Sequence, residues 1–505
     1  MTARFSSGSG STPEGRPGRT IVLGAGPAGL TAAYLLSTAG FPVTVVEAAP
    51  FVGGLARTIR RETSDGEFRF DIGGHRWLST NPELNDIFHR LIGDDVLRVH
   101  RRSRIFRESE PWVEFPLQWD NLRAVLGVRE ATRALADYGR AQASGRKGGA
   151  PVSMRDAFVR TYGETLYERF FAGYSEKVWG ESPERLSGAW VEGRTEGLAM
   201  TSALPRFLRR EKPAAAASSE FLYPRYGFGQ LSERLADAIR ARGGEIRLQT
   251  SVEQLTVRDE AIHQITVRTP RGNETLTADH IVSSIPMSIL GRIVTPAPSE
   301  EILRSADALG FRDVITVNLM IRTPRISDDT WVYVHDPKIP FGRFHEPKNW
   351  SPAMVPGEAF TSLVVEYFCT RGDGTWAMSD EQLITQTVGH LVEHLHVLRP
   401  QEVIGGFTVR ATKAYPRYEV GYEEPLANMT TFLSGIRNLE SIGRGGAFQY
   451  RNTDYAMEMA VLAARNILGR YGIGRTPDAA TGSSGEDTTP TDDHSTTRAS
   501  GGDDA

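Results

Sequence analysis

Residues 19–47 read RTIVLGAGPAGLTAAYLLSTAGFPVTVVE. The apolar run before Gly24 predicts a short strand buried on both faces. Ala28 to about Thr38 predicts a helix, and Pro42–Glu47 predicts a second strand, so the stretch is a complete β-α-β unit. Its turn, Gly24-Ala25-Gly26-Pro27-Ala28-Gly29, carries three glycines with three separate tasks. Gly24 permits the tight turn, Gly26 lets backbone approach a pyrophosphate, and Gly29 lets the helix pack closely on the sheet. The helix N-terminus then offers free N–H groups and a positive dipole end to phosphates. Glu47 closes the second strand, 18 residues after Gly29, where its carboxylate can accept hydrogen bonds from the adenosine ribose hydroxyls. An acid there disfavours a 2′-phosphate, so the expected dinucleotide is NAD or FAD and not NADP.

The surrounding chain is of ordinary globular composition. It has 505 residues, 40% hydrophobic and 24% charged, with 58 Lys+Arg against 62 Asp+Glu and a formal net charge of −4. Residues 476–505 hold seven acidic residues and one Arg, a net of −6, which leaves +2 for the body. A near-neutral body suits a local phosphate pocket and no general nucleic-acid face. The single cysteine, Cys369, allows no intrachain disulfide and no cysteine metal cluster, and no His/Asp/Glu group has zinc spacing. The longest apolar stretch, 21–36, is broken by glycines and is not a membrane span. The first 18 residues lack a signal-peptide core, and a cytoplasmic location is expected. Cys369 sits in an apolar strand and reads as a small buried hydrophobe.

Beyond the first unit, helices are expected over 81–95, 118–142, 153–178 and 228–242, with a last one near 454–471. Strands are expected over 245–248, 262–269, 280–284, 313–322, 329–335 and 360–368. Ser144–Ala150 reads as a polar loop. The nucleotide-binding unit thus opens the chain, and its partner strands return hundreds of residues later. The expected fold is α/β, a Rossmann-like domain built from discontinuous segments with an inserted α+β substrate domain.

Further glycine-rich segments follow. Gly53-Gly54-Leu55-Ala56-Arg57 begins six residues after Glu47 and brings bare backbone and a cation toward a cofactor. Phe70–His75 ends in Gly73-Gly74-His75, and Ile442-Gly443-Arg444-Gly445-Gly446 precedes the last helix. With these segments the sequence resembles the flavoprotein superfamily of amine oxidases, protoporphyrinogen oxidases, phytoene desaturases and UDP-galactopyranose mutases. The resemblance implies non-covalent FAD wrapped by Gly24, Gly26, Gly29, Glu47, Gly54, Leu55, Arg57, Gly74, Val252, Gly443 and Arg444, with His75 near the flavin. It divides the chain into a disordered lead (1–18), three parts of the FAD-binding domain (19–100, 221–290 and 431–475), a mainly helical substrate domain (101–220), an antiparallel-sheet substrate domain (291–430) and a disordered acidic tail (476–505).

Four segments resemble UDP-galactopyranose mutase in particular: Tyr174–Gly180, Ile339–Trp350, Ala414–Pro416 and Arg444–Asn452. The resemblance implies that Tyr174, Trp179, Arg343, Tyr415, Tyr450 and Asn452 bind a nucleotide sugar. Arg343, Tyr415 and Tyr450 would hold its diphosphate, a role that suits one Arg with hydroxyl donors. It also implies pyranose–furanose interconversion through N5 of a reduced flavin, with NAD(P)H as a candidate external reductant. The sequence departs from the mutases at Leu78, where they carry a second His, and at Asn452, where they carry an acid. Segments 221–230 and 366–369 look closer to protoporphyrinogen-oxidase-like proteins.

Two other functions stand beside this one. A net redox flavoenzyme of amine oxidase, protoporphyrinogen oxidase or desaturase type would pass hydride from a small molecule to the flavin, with His75 and His345 as candidate bases and Glu346 and Lys348 on the same loop. A non-catalytic scaffold is disfavoured, because it gains nothing from the glycine pattern.

Overall fold

The computed structural model describes residues 17–108, 110–115, 119–145, 150–191 and 220–473. The expected disordered tails lie outside these residues apart from 17 and 18, as do 146–149 of the polar loop.

The opening segment forms the predicted unit. Strand Thr20–Leu23 is wholly buried at the centre of a five-stranded parallel sheet. The sheet runs Leu439–Ser441, His280–Ser283, Thr20–Leu23, Val43–Val46, Glu245–Arg247. Ile21 and Leu23 point to one hydrophobic cluster and Val22 to another, which is why the strand is apolar throughout rather than alternating. Each such fully buried side chain contributes about 1.5–3 kcal/mol. Helix Pro27–Thr38 starts with Pro at its first turn and packs on helices Gly229–Ala241 and Thr453–Gly469. Alanines on both sides, Ala32 and Ala33 against Ala460, Ala463 and Ala464, belong to that common core and permit a close approach.

A second, seven-stranded sheet is mixed. Its order is Val403–Pro416, Phe311–Ile321, Thr361–Cys369, Arg343–His345, Trp331–Val334, Ser103–Phe106, Val113–Phe115. All neighbours are antiparallel except the pair Trp331–Val334 and Ser103–Phe106. Two strands from the stretch expected to be mainly helical therefore complete this sheet. Strand Val403–Pro416 carries a bulge opposite Asp313, with Lys413 at φ 52° and its N–H donating to the Asp313 carboxylate. Such a bulge re-aims the side chains that follow it, here Ala414 and Tyr415.

The helix expected over 153–178 is corrected to four pieces: Met154–Tyr162, Glu164–Leu166, a π-helical stretch Tyr167–Ala172, and Gly173–Trp179. Gly163 causes the first break. Its φ is 83°, and a Cβ there would lie 2.8 Å from the Tyr138 backbone nitrogen. The helix expected over 81–95 stops at Ile92, because Gly93 takes φ 60°. Among the described residues no helix is long and apolar enough to cross a membrane, and no group of His, Cys, Asp and Glu could hold a metal ion.

Candidate active site

A slot of about 330 Å³ opens above the first turn. Gly24 has φ 103°, and a Cβ at Gly29 would sit 2.1 Å from the Gly24 carbonyl oxygen, so the tight turn and close packing both require glycine. Gly26 differs: a Cβ there meets nothing within 4 Å, because it would project into the slot. Glu47 is pinned by two backbone donors, Ala25 N–H at 2.8 Å and Ala49 N–H at 2.9 Å. The double glycine folds over this turn, with Gly54 (φ 54°) placing a would-be Cβ 3.4 Å from the Gly26 Cα. Leu55, Val252, Gly443 and Arg444 also line the slot, together with His75 and with Asn452, which was expected at the substrate.

Three expected cofactor residues lie outside the slot wall: Gly29, which packs under the turn, Arg57 and Gly74. Arg57 is not in the slot wall; its guanidinium stacks 3.4 Å over Phe51, and burial lowers its pKa. Gly74 belongs to the wall of the adjoining chamber, against Trp350. The remaining set fits FAD: bare backbone beside a helix N-terminus, a fixed carboxylate at the strand end, and a slot that a side chain at position 26 would fill.

His75 is shared between the slot and a polar chamber of about 150 Å³. Burial and the nearby Arg444 charge push its pKa down to about 4, so it is neutral at ordinary pH, and its Nδ1 is buried without a partner among the described residues. The chamber also holds Arg343, Glu366, Tyr415, Tyr450 and Asn452. Arg343 and Glu366 are register partners on adjacent antiparallel strands. Arg343 Nη2 also donates to the Tyr415 hydroxyl at 3.1 Å. Burial works against the Arg343 charge, but Glu366 more than restores it and the guanidinium stays protonated. Arg444 donates to the carbonyls of Ala414 and Arg451 and lies over the rings of Tyr415 and Tyr450.

Through Arg343 and Tyr450 the chamber continues into an aromatic cavity of about 390 Å³. Tyr174, Trp179, Phe158, Phe170 and Phe171 line it, the last two from the π-helical stretch. The rings form a chain: Tyr415 to Tyr450 at 5.0 Å and Tyr450 to Trp179 at 5.7 Å. Tyr174 stacks on His335 at 4.3 Å, and burial holds that imidazole at about 3. All six expected substrate residues thus fall on the connected chambers or their border with the slot.

The loop candidates separate. His345 reaches the polar chamber, stacked on Trp350 and held neutral at about 3 by burial and Arg343. Glu346 accepts from the N–H groups of Ile326 and Ser327 and the Thr361 hydroxyl; Lys348 donates to three carbonyls. Both latch the loop. Cys369 is buried, and its thiol is pushed up to about 12 by burial, so it is inert. The residue that sequence reasoning passed over is Glu366. Its signal is a lone carboxylate inside the otherwise uncharged strand Thr361–Cys369, since a buried acid demands a partner.

The family model described as flavin containing amine oxidoreductase matches residues 27–467. A 15-cis-phytoene desaturase of Arabidopsis thaliana is 26% identical over 323 residues, 60% of this chain and 54% of the desaturase. An L-amino-acid oxidase of Sistrurus catenatus edwardsii is 51% identical over 53 residues, 10% of each chain. The chain thus spans about half the length of the first relative and a tenth of the second. Among solved structures, a reduced UDP-galactopyranose mutase superposes with TM-score 0.77 at 22% identity, over 90% of this chain and 96% of that one. A redesigned putrescine oxidase superposes with TM-score 0.62 at 17% identity, over 90% and 99%.

Proposed function

The chain belongs to the flavin containing amine oxidoreductase family, and on that premise we propose that it is an FAD-dependent enzyme acting on a nucleoside-diphosphate sugar, interconverting its pyranose and furanose rings. One observation carries the reading. Tyr174, Trp179, Arg343, Tyr415, Tyr450 and Asn452 come from distant segments and converge on chambers that share His75 and Asn452 with the slot. Bound FAD would supply redox and nucleophilic ring chemistry at that border.

The protein's own groups do the rest. The aromatic walls take a flat base and exclude water. Tyr415 keeps its proton, since burial raises it to about 12, and so remains a hydroxyl donor beside Arg343. Tyr450 offers a second hydroxyl. His75, being neutral, can hydrogen-bond the sugar without adding charge. Asn452 supplies an amide that can both donate and accept hydrogen bonds.

A second reading is hydride transfer from a small molecule to FAD. The strongly aromatic cavity favours it, as do a desaturase and an amino-acid oxidase among the relatives. One experiment separates the two. The yellow protein is incubated anaerobically with UDP-galactopyranose, with and without dithionite or NAD(P)H. Furanose product only after reduction, with no net electron transfer, supports the mutase. No ring interconversion, with flavin bleaching by an unreduced amine or alcohol, supports the oxidoreductase.

A further inference from the structure

The aromatic cavity holds an imidazole among its rings, that of His335. His335 follows directly on strand Trp331–Val334 and is fixed from three sides. Its backbone N–H donates to the Phe106 carbonyl at 3.0 Å. Lys177 Nζ donates to the Val334 and Asp336 carbonyls, at 2.8 and 2.6 Å, and so brackets it. Tyr174, one turn before Lys177 on helix Gly173–Trp179, stacks on the imidazole with the ring planes 19° apart. This clasp is held against desolvation. Lys177 bonds carbonyls and has no carboxylate within ion-pair distance among the described residues, and burial pulls its pKa down to about 8. The ring of His335 lines the cavity, and its nitrogens have no hydrogen-bond partner among the described residues. Burial, with the Lys177 and Arg107 charges, keeps it neutral. A neutral imidazole presents an N–H or a lone pair to the cavity without adding charge.

A buried cation that holds one imidazole in place, while the protein leaves that imidazole's own nitrogens unused, points to a ligand as the missing partner. We propose that His335 is a specificity-determining residue of the aromatic cavity: it hydrogen-bonds the polar edge of the flat ring that the cavity takes, with Lys177 as its positioning residue. The matching chemistry is an amide edge, a C=O beside an N–H, as in a uracil ring, because it answers both an imidazole that donates and one that accepts. A ring without such an edge is held by stacking alone. This deepens the nucleotide-sugar reading and rests on it for the identity of the ring; the contact itself rests on the clasp and the unpartnered imidazole.

The test is calorimetric titration of the FAD-loaded protein with uridine monophosphate and with phenyl phosphate. Both carry a phosphate and a flat ring, and only the first ring has a polar edge. The parent prefers the uridine nucleotide. His335→Phe retains an aromatic ring against Tyr174 and lowers that preference about tenfold, the scale of one lost hydrogen bond whose partner stays buried. His335→Gln restores part of it, and Lys177→Met lowers it in the same direction as His335→Phe. A retained flavin spectrum certifies that each variant is folded. A parent that binds the uridine nucleotide no better than phenyl phosphate overturns the proposal. So does a preference unchanged in His335→Phe, including an equal loss for both ligands, which a mere packing role would give. An unchanged preference in Lys177→Met alone removes the positioning role. A preference that depends on His335, without ring interconversion of UDP-galactopyranose by the reduced protein, leaves the contact standing and removes the mutase reading. Interconversion with an unchanged preference in His335→Phe does the reverse.

Discussion

Arg343 and Glu366 face one another across neighbouring antiparallel strands and are joined by two parallel hydrogen bonds, Nε to Oε1 and Nη2 to Oε2, each 2.7 Å. The carboxylate is 1% exposed and the guanidinium side chain 25%. Removing one partner strands a buried charge. Glu366→Gln is expected to destabilise the holoprotein by about 3–5 kcal/mol, whereas replacing both residues with Met costs far less. Urea denaturation of the two variants checks this, and equal losses would contradict it.

Two glycines of the first turn should fail in different ways. Gly26→Val places its side chain in open slot space, so the chain folds but holds FAD at least about tenfold more weakly, equivalent to about 1.4 kcal/mol. Gly29→Val collides with the Gly24 carbonyl and should lose about 1–3 kcal/mol of stability or more. Flavin content and thermal unfolding, measured on both, distinguish the two.

Acid should destabilise the protein through its neutral histidines. His75 is held at about 4, and His335 and His345 at about 3, against an ordinary 6.5. The unfolded chain binds these protons and the folded chain does not. The stability is therefore complete above pH 6.5 and is lost as pH falls toward 4 for His75 and toward 3 for His335 and His345, by at most about 1.4 kcal/mol per pH unit for each group. Asp71 opposes this: burial raises it to about 6, so the folded state binds its proton first and gains stability as pH falls from 6 to 3.8. Proton uptake on unfolding near pH 5, reduced in His345→Phe, is the expected result.

Tyr415→Phe removes the hydroxyl that accepts from Arg343. The expected stability loss is about 1 kcal/mol. The FAD spectrum should persist, since Tyr415 does not line the slot, while KM for the true substrate rises. Loss of the flavin in this variant would contradict the separation of slot and chamber.

Much of this molecule was legible before folding. The turn at Gly24–Gly29 and the carboxylate of Glu47 lie within 29 residues, and a β-α-β unit is built from local pattern and glycine conformations, which sequence spacing reports directly. The break at Gly163 was missed because it depends on the backbone of Asp137 and Tyr138 lying against it. Strand Val403–Pro416 was missed as well, since its bulge and pairing are set by Asp313 and the strand Phe311–Ile321.

By itself, then, the sequence determined the glycine turn and the carboxylate of the first β-α-β unit and pointed to Arg343 and Arg444 as site cations. Tertiary structure alone decided which of those charges are balanced. Arg343 is neutralised because strand register sets it opposite Glu366, 23 residues away in the chain. Arg76 and Arg101 share one aromatic neighbour, Trp331, which is more than two hundred residues from either in the chain. Charge compensation is a matter of distance in space, and separation along the chain carries no information about it.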